Sequence, residues 1–355
     1  MKKLRTVTFL VSPENPCPPL EYGGGERVAS ILVREFLMRG LEVELFCAPG
    51  STQQATFIHH APSATMEGEQ EYLHALARQD AFHHRPDVIV DMTPSHIGSL
   101  IRNQPIVSIM GGDPLKKYPH DNVKNRIYAS QELAEFFGCP DYPVLHNVVT
   151  SNPYTVPLGD GSGGYALYVG ITRPGKGLTL ATRAARLACL PLHVYGPALG
   201  DNQNYLDLLV DWIEYKGMLS DRNRWQVFGK AAVYMCCPVW CDAGPLAPME
   251  AMLTGTPVVG LANGGVASDV VDGVGGYLLR GKQASDAMMQ PPAPLEPLPQ
   301  KQWQSLAADL AALMPKAAVL DRARVRQGII EKVNPKAAAD VLEALCRDAA
   351  AGKEW

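Results

Sequence analysis

The sequence predicts an α/β chain built from two consecutive doubly wound parallel-sheet domains, and three observations carry that expectation. Short apolar runs without polar alternation recur along the chain, as strands buried on both faces of a parallel sheet require. Helical stretches separate them, so each strand can rejoin its sheet by a crossover. A segment at 152–164, dense in Pro, Gly and Ser, interrupts the pattern as an interdomain linker would, and the pattern then restarts. A chain of 355 residues also exceeds what one core usually serves, which suits two domains of roughly 150 residues each.

Taken in order, 7–11 reads as a strand ending in the turn-rich Ser12-Pro13-Glu14-Asn15-Pro16, and Val28, Ile31, Leu32 and Phe36 give 26–38 helical spacing. Further strands are expected at 43–47, 88–91 and 106–109, with 127–129 and 144–145 completing the first sheet. In the second half, strands are expected at 166–169, 192–195, 232–236 and 258–260, and helices at 178–190, 205–213 and around 249–253. A Pro-rich surface loop at 283–300 and helices at 303–314, 317–330 and 337–350 close the chain. The expected division is a first domain at 1–150, a second at 165–330 and a C-terminal segment at 331–355.

With 46% hydrophobic and 19% charged residues, the composition is that of a globular protein with a large core. The formal charge of −4 supplies no global basic field, which disfavours nucleic acid as a partner. No segment approaches the roughly 20 apolar residues that span a bilayer. Met1-Lys2-Lys3 is basic, but the run after it has no small-residue cleavage site and does not read as an export signal. Eight cysteines, several inside apolar runs, suit a reduced cytoplasm. Cys236, Cys237 and Cys241 cluster without the second ligand pair that a zinc site needs, so a structural role and no metal are expected.

In open parallel sheets, ligands settle beyond the carboxyl ends of strands, where loops and helix N-termini present N–H groups. Two such sheets facing each other make a cleft, which a ligand touching both domains would close. Three stretches fall in such loops. Tyr22-Gly23-Gly24-Gly25-Glu26-Arg27 lets backbone approach a phosphate, although taken alone it reads first as a flexible turn. Gly170-Ile171-Thr172-Arg173-Pro174-Gly175-Lys176-Gly177 opens a helix with two cations able to neutralise a diphosphate, or forms a solvated basic loop. Trp240 to Val259 carries Asp242 in a loop and Glu250 on the following helix, carboxylates suited to sugar or ribose hydroxyls, or to an N-cap and a helix surface. A dinucleotide site is excluded, because the glycine run lacks the Gly-x-Gly-x-x-Gly spacing.

Together these stretches resemble the family 4 retaining glycosyltransferases of GT-B fold, along almost the whole chain. The resemblance rests on Gly23 to Arg27, on Lys176-Gly177, and on Asp242 with Glu250 followed by Ala251-Met252 and Gly255-Thr256-Pro257-Val258. His146-Asn147-Val148, Lys216-Gly217-Met218-Leu219 and Gly264-Gly265-Val266 echo it. It implies transfer of a hexosyl or pentosyl group from a nucleotide sugar, above all a UDP-sugar, to an acceptor hydroxyl, with no metal or cofactor. It also implies a C-terminal helix that crosses back to the first domain. By the same resemblance Gly23, Gly24 and Gly25 face the diphosphate, while Lys176 binds it and Arg173 assists. Backbone N–H groups of Gly244, Leu246 and Ala247 support phosphate and sugar, Asp242 contacts sugar hydroxyls and Glu250 holds the ribose. Three positions depart from the family: Ile171 stands where Arg is usual, Asp242 where Glu is, and Met110 where His is common. Asp91, His96 and Asp113 are the candidates to compensate on the acceptor side. The alternative these departures motivate is a catalytically silent GT-B protein that binds a nucleotide sugar or a partner.

Overall fold

Continuous apolar strands place two six-stranded, all-parallel sheets in the computed structural model, which describes residues 3–61, 85–101, 103–111, 123–172, 174–198, 211, 213–281 and 301–355. The chain divides into two units, Met1–Ser151 with Val333–Trp355, and Asn152–Lys332. The first holds β1 (Thr6–Val11), β2 (Glu42–Cys47), β3 (Phe57–His60), β4 (Val88–Met92), β5 (Ile106–Met110) and β6 (Arg126–Tyr128), in the order β3-β2-β1-β4-β5-β6. The second holds β7 (Ala166–Val169), β8 (Leu192–Tyr195), β9 (Glu214–Tyr215), β10 (Val233–Cys236), β11 (Val258–Leu261) and β12 (Gly276–Leu279), in the order β12-β11-β10-β7-β8-β9. Both are the same doubly wound order. In each, the direction of winding reverses beside the first strand, between β1 and β4 and between β7 and β10, and such a reversal leaves a crevice at the strands' carboxyl ends.

Helices cover the sheets where apolar spacing demands. In the first unit, α1 (Gly24–Met38) lays Phe36 edge-on against Phe9 of β1, ring centroids 5.4 Å apart, and α2 (Gln131–Phe136) is N-capped by Ser130. In the second come α3 (Leu178–Leu187), α4 (Arg224–Lys230), α5 (Leu246–Leu253), α6 (Val266–Asp269), α7 (Lys301–Ala318) and α8 (Arg322–Gln327). The last helix, α9 (Pro335–Ala350), packs on α1, β4 and β5 of the first unit. Arg39 at the end of α1 ties to Glu343 and Asp340 of α9, each at 2.8 Å, and Trp355 bonds Asn125 just before β6. No helix of the described residues is long and apolar enough to cross a membrane.

The structure departs from the expectations at particular elements. β3, β9 and β12 were not legible as strands, because they are short and lie at or next to sheet edges, where half-exposed residues break the apolar run. Residues 144–145 form no strand of their own; Val144 makes one isolated bridge to Tyr128. The expected helix 317–330 is divided, since α7 runs through Pro315 to Ala318 and the chain turns before Asp321 caps α8. Segment 152–164 is not a loose tether. It lies in the second unit, with Gly159, Gly161 and Gly163 N–H groups bonded to the carbonyls of Thr254, Gly229 and Lys230. Arg322 clamps it from α8 by donating to the carbonyls of Gly159, Gly229 and Ala231. Its glycines serve close backbone packing, the other use of a missing Cβ. Of the expected helix 205–213 only residues 211 and 213 are described, and the expected loop 283–300 lies outside the described residues, as do Arg173 and Asp113.

Candidate functional site in the second unit

The two loops that follow β7 and β10 meet at the point where the second sheet reverses. Gly177, the N-cap of α3, takes φ 74°, and a Cβ there would stand 1.6 Å from the Cys237 carbonyl oxygen, so only glycine lets the loops touch. Gly175 lies flat on the Trp240 ring, and its carbonyl accepts from the Val239 N–H at 3.0 Å. Lys176 lies between these two fixed points. Its ammonium passes 5.4 Å from the Trp240 ring centre and reaches Oδ2 of Asp242 at 2.5 Å. Asp242 is held in turn through its backbone: its carbonyl accepts from the Gly265 N–H at 2.8 Å, and Gly264 at φ 81° packs against it. Gly177→Ala should therefore separate the loops at a cost of about 2 kcal/mol, the sum of left-handed strain and overpacking. Urea unfolding checks it, and an unchanged midpoint would mean that the two loops can part freely.

Behind this pair stands α5, whose N-cap is Pro245 and whose N-terminus has no side-chain cap. The N–H groups of Leu246 and Ala247, in its first turn, have no acceptor within the helix by its geometry, and they form the positive end of its dipole. Gly244 is buried next to them. One turn along, Glu250 is 2% exposed, and both its oxygens lie 3.1 Å from Nη1 of Arg224 on α4. Asp221 takes the Arg224 Nε at 3.0 Å. Arg224 belongs to this charge cluster although nothing in the sequence marked it. It precedes Glu250 by 26 residues and sits in an unremarkable short helix. Trp240 stood inside a quoted motif without a role, and the structure gives it one as the wall beneath Lys176. Cys236, Cys237 and Cys241 are buried, and desolvation raises the thiols of Cys236 and Cys237. The described residues contain no group of three or more His, Cys, Asp or Glu placed to hold a metal ion.

The first unit's candidates lie at its own reversal point. Gly23 caps α1 at φ 153°, with Glu26 and Pro19 filling the space a Cβ would need, while Gly24 and Gly25 are the first residues of the helix. A Cβ on Gly25 would meet nothing within 4 Å. Glu26 is buried, and burial raises its carboxyl above the usual range. His96 is buried at φ 50°, ahead of a short 3-10 turn, Ile97–Leu100. Asp91 is wholly buried at the end of β4 and accepts from the Thr93 N–H at 2.9 Å, the Thr93 hydroxyl at 2.6 Å and the Gly98 N–H at 2.6 Å. Its carboxylate therefore anchors its own loop. Ile171 and Met110 stand in place, the first with its carbonyl bonded to the Tyr168 hydroxyl and the second buried in β5.

Burial outweighs those hydrogen bonds and lifts Asp91 from 3.8 to about 6. A group with a raised folded-state pKa stabilises below the unfolded value, and that stability is lost as the pH climbs through the folded one. At about 1.4 kcal/mol per pH unit, the window from 3.8 to about 6 withdraws up to about 3 kcal/mol. The urea midpoint of wild type should fall relative to that of Asp91→Asn across this window. Parallel pH profiles for the two proteins would show Asp91 ionised throughout.

Comparison with known proteins bears mainly on this second unit. Residues 160–289 match the family described as Glycosyl transferases group 1, a span that includes Lys176, Asp242 and Glu250. No curated protein matches the chain. Among solved structures, the chain is similar to AviGT4, a glycosyltransferase of avilamycin A biosynthesis, at 21% identity and TM-score 0.69, covering 99% of this chain and 100% of that one. It is similar to a sucrose-phosphate synthase from Thermosynechococcus elongatus at 15% identity and TM-score 0.75, covering 98% and 100%. A third is Anabaena HepE in complex with UDP and glucose, at 14% identity and TM-score 0.68, covering 96% and 99%. These likenesses establish the fold, two Rossmann-like halves of the GT-B type.

Proposed function

We propose that the second unit binds a nucleoside-diphosphate sugar, UDP-linked above all, at the β7/β10 reversal, and that the chain transfers the sugar to an acceptor hydroxyl as a family 4 retaining glycosyltransferase. The observation that carries this reading is the Lys176 ammonium, held 2.5 Å from Asp242 beside the uncapped N-terminus of α5. Cation and helix dipole together suit a diphosphate, and a carboxylate next to them suits sugar hydroxyls. The match of 160–289 to glycosyl transferases group 1 supports the same class.

In the proposed reaction the bond between the anomeric carbon and the diphosphate oxygen breaks while the acceptor oxygen attacks from the same face. The acceptor proton passes to the departing phosphate oxygen. Lys176 and the N–H groups of Leu246 and Ala247 stabilise the charge that develops on the leaving group, which is the work a metal ion performs in other sugar transfers. Glu250 accepts from the ribose hydroxyls with the lone pairs that Arg224 leaves it. Incubation with a panel of nucleotide sugars, following release of nucleoside diphosphate, tests the proposal. Release from at least one donor is the expected result. Tight nucleoside-diphosphate binding with no release from any donor would favour the catalytically silent reading, in keeping with Ile171 and Asp242 at their positions.

A further inference from the structure

We propose, resting on the donor-binding reading above, that Asp242 is a charge gate for Lys176 that makes the site prefer a nucleotide sugar over the bare nucleoside diphosphate left after transfer. The two side chains neutralise each other at 2.5 Å, with the lysine side chain 24% and the aspartate side chain 11% exposed. The two ends of this pair are not equally free to move. Asp242 is fixed by the backbone bond to Gly265 and by the bridge to Gly264, on a short side chain. Lys176 carries its ammonium on a flexible four-carbon stem, 5.4 Å from the Trp240 ring centre, so the ammonium can turn away from Asp242.

A diphosphate that takes the ammonium leaves the Asp242 carboxylate without its cation and next to new negative charge. Like charges so placed repel, and a poorly exposed carboxylate deprived of partners disfavours the complex. A sugar on the diphosphate offers hydroxyl donors that the freed carboxylate accepts, and the exchange is compensated. A bare nucleoside diphosphate has only its ribose hydroxyls, which the proposed binding mode gives to Glu250. Asp242 therefore admits the intact donor, and once the sugar has gone it recovers Lys176 and favours departure of the diphosphate.

The test is equilibrium binding of uridine diphosphate, or of adenosine or guanosine diphosphate where the uridine form does not bind, to wild type, Asp242→Asn, Lys176→Met and the double variant. Asp242→Asn keeps hydrogen-bonding capacity and removes the charge. It should bind the nucleoside diphosphate about tenfold more tightly than wild type does while consuming nucleotide sugar more slowly. In the Lys176→Met background the same substitution should give a clearly smaller gain, because only the repulsion is relieved and no ammonium remains to be released. Asp242→Ser, which keeps the backbone bonds, serves if the asparagine variant does not fold. Unchanged or weaker binding by Asp242→Asn overturns the gate, and so does a gain of equal size without Lys176, which would be plain repulsion. Wild type and Asp242→Asn that both bind no nucleoside diphosphate reject the donor-binding reading itself and the gate with it.

Discussion

Glu250→Ala should cost the second unit about 3–5 kcal/mol, because it leaves the Arg224 guanidinium buried without its main counter-charge. The pair is shielded, with side-chain exposures of 8% for Arg224 and 3% for Glu250. Asp221 remains as a second partner, but its own side chain is 53% exposed and screened by solvent. Hydrogen exchange at α4 and α5, together with urea unfolding, reads the loss. Arg224→Ala should match it, whereas replacing both residues with leucine should recover much of it. A loss below about 1 kcal/mol would place the pair among the screened surface bridges. Glu250→Gln keeps the shape, and in the proposed function it weakens nucleoside-diphosphate binding beyond its effect on stability.

Lys176→Ala should lower turnover by about 10²–10³-fold, the usual loss when one group that stabilises developing charge is removed. Its effect on stability should stay near 1 kcal/mol, since the lysine side chain is 24% exposed and its pair with Asp242 is partly screened. Single-turnover rates at saturating donor separate the two effects. A raised KM at unchanged turnover would mean that Lys176 binds ground state and transition state alike.

Much of the fold was legible because burial on both faces writes itself into a sequence. Strands such as β1, β4 and β10 are mainly apolar without a polar alternation, and α1 carries a periodic apolar face, so neither needed tertiary knowledge. The composition of the candidate site was legible where a residue type has few other uses in its place, as with Lys176-Gly177 at the start of a helix. It was not legible where role depends on the partner. Glu250 read as a hydroxyl acceptor, and its other partner, the Arg224 it is buried against, is one that no spacing rule connects to it. Asp91 read as a cleft carboxylate, but its oxygens accept from Thr93 and Gly98 of its own loop.

By itself the sequence determined the class of structure, the repeated doubly wound pattern and the glycine-bearing loops that follow the strands, since these follow from local patterns of burial and from glycine placed after strands. Only the tertiary structure decided which charges meet. Lys176 and Asp242 are 66 residues apart, and they touch because Gly177 lets one loop press on the carbonyl of Cys237 in the other. The same holds for segment 152–164, whose Pro, Gly and Ser content predicts a tether, whereas its Gly159 lies against the backbone of Gly229 and accepts from Arg322. Composition records how freely a backbone can move. Packing decides whether that freedom is used for motion or for close approach.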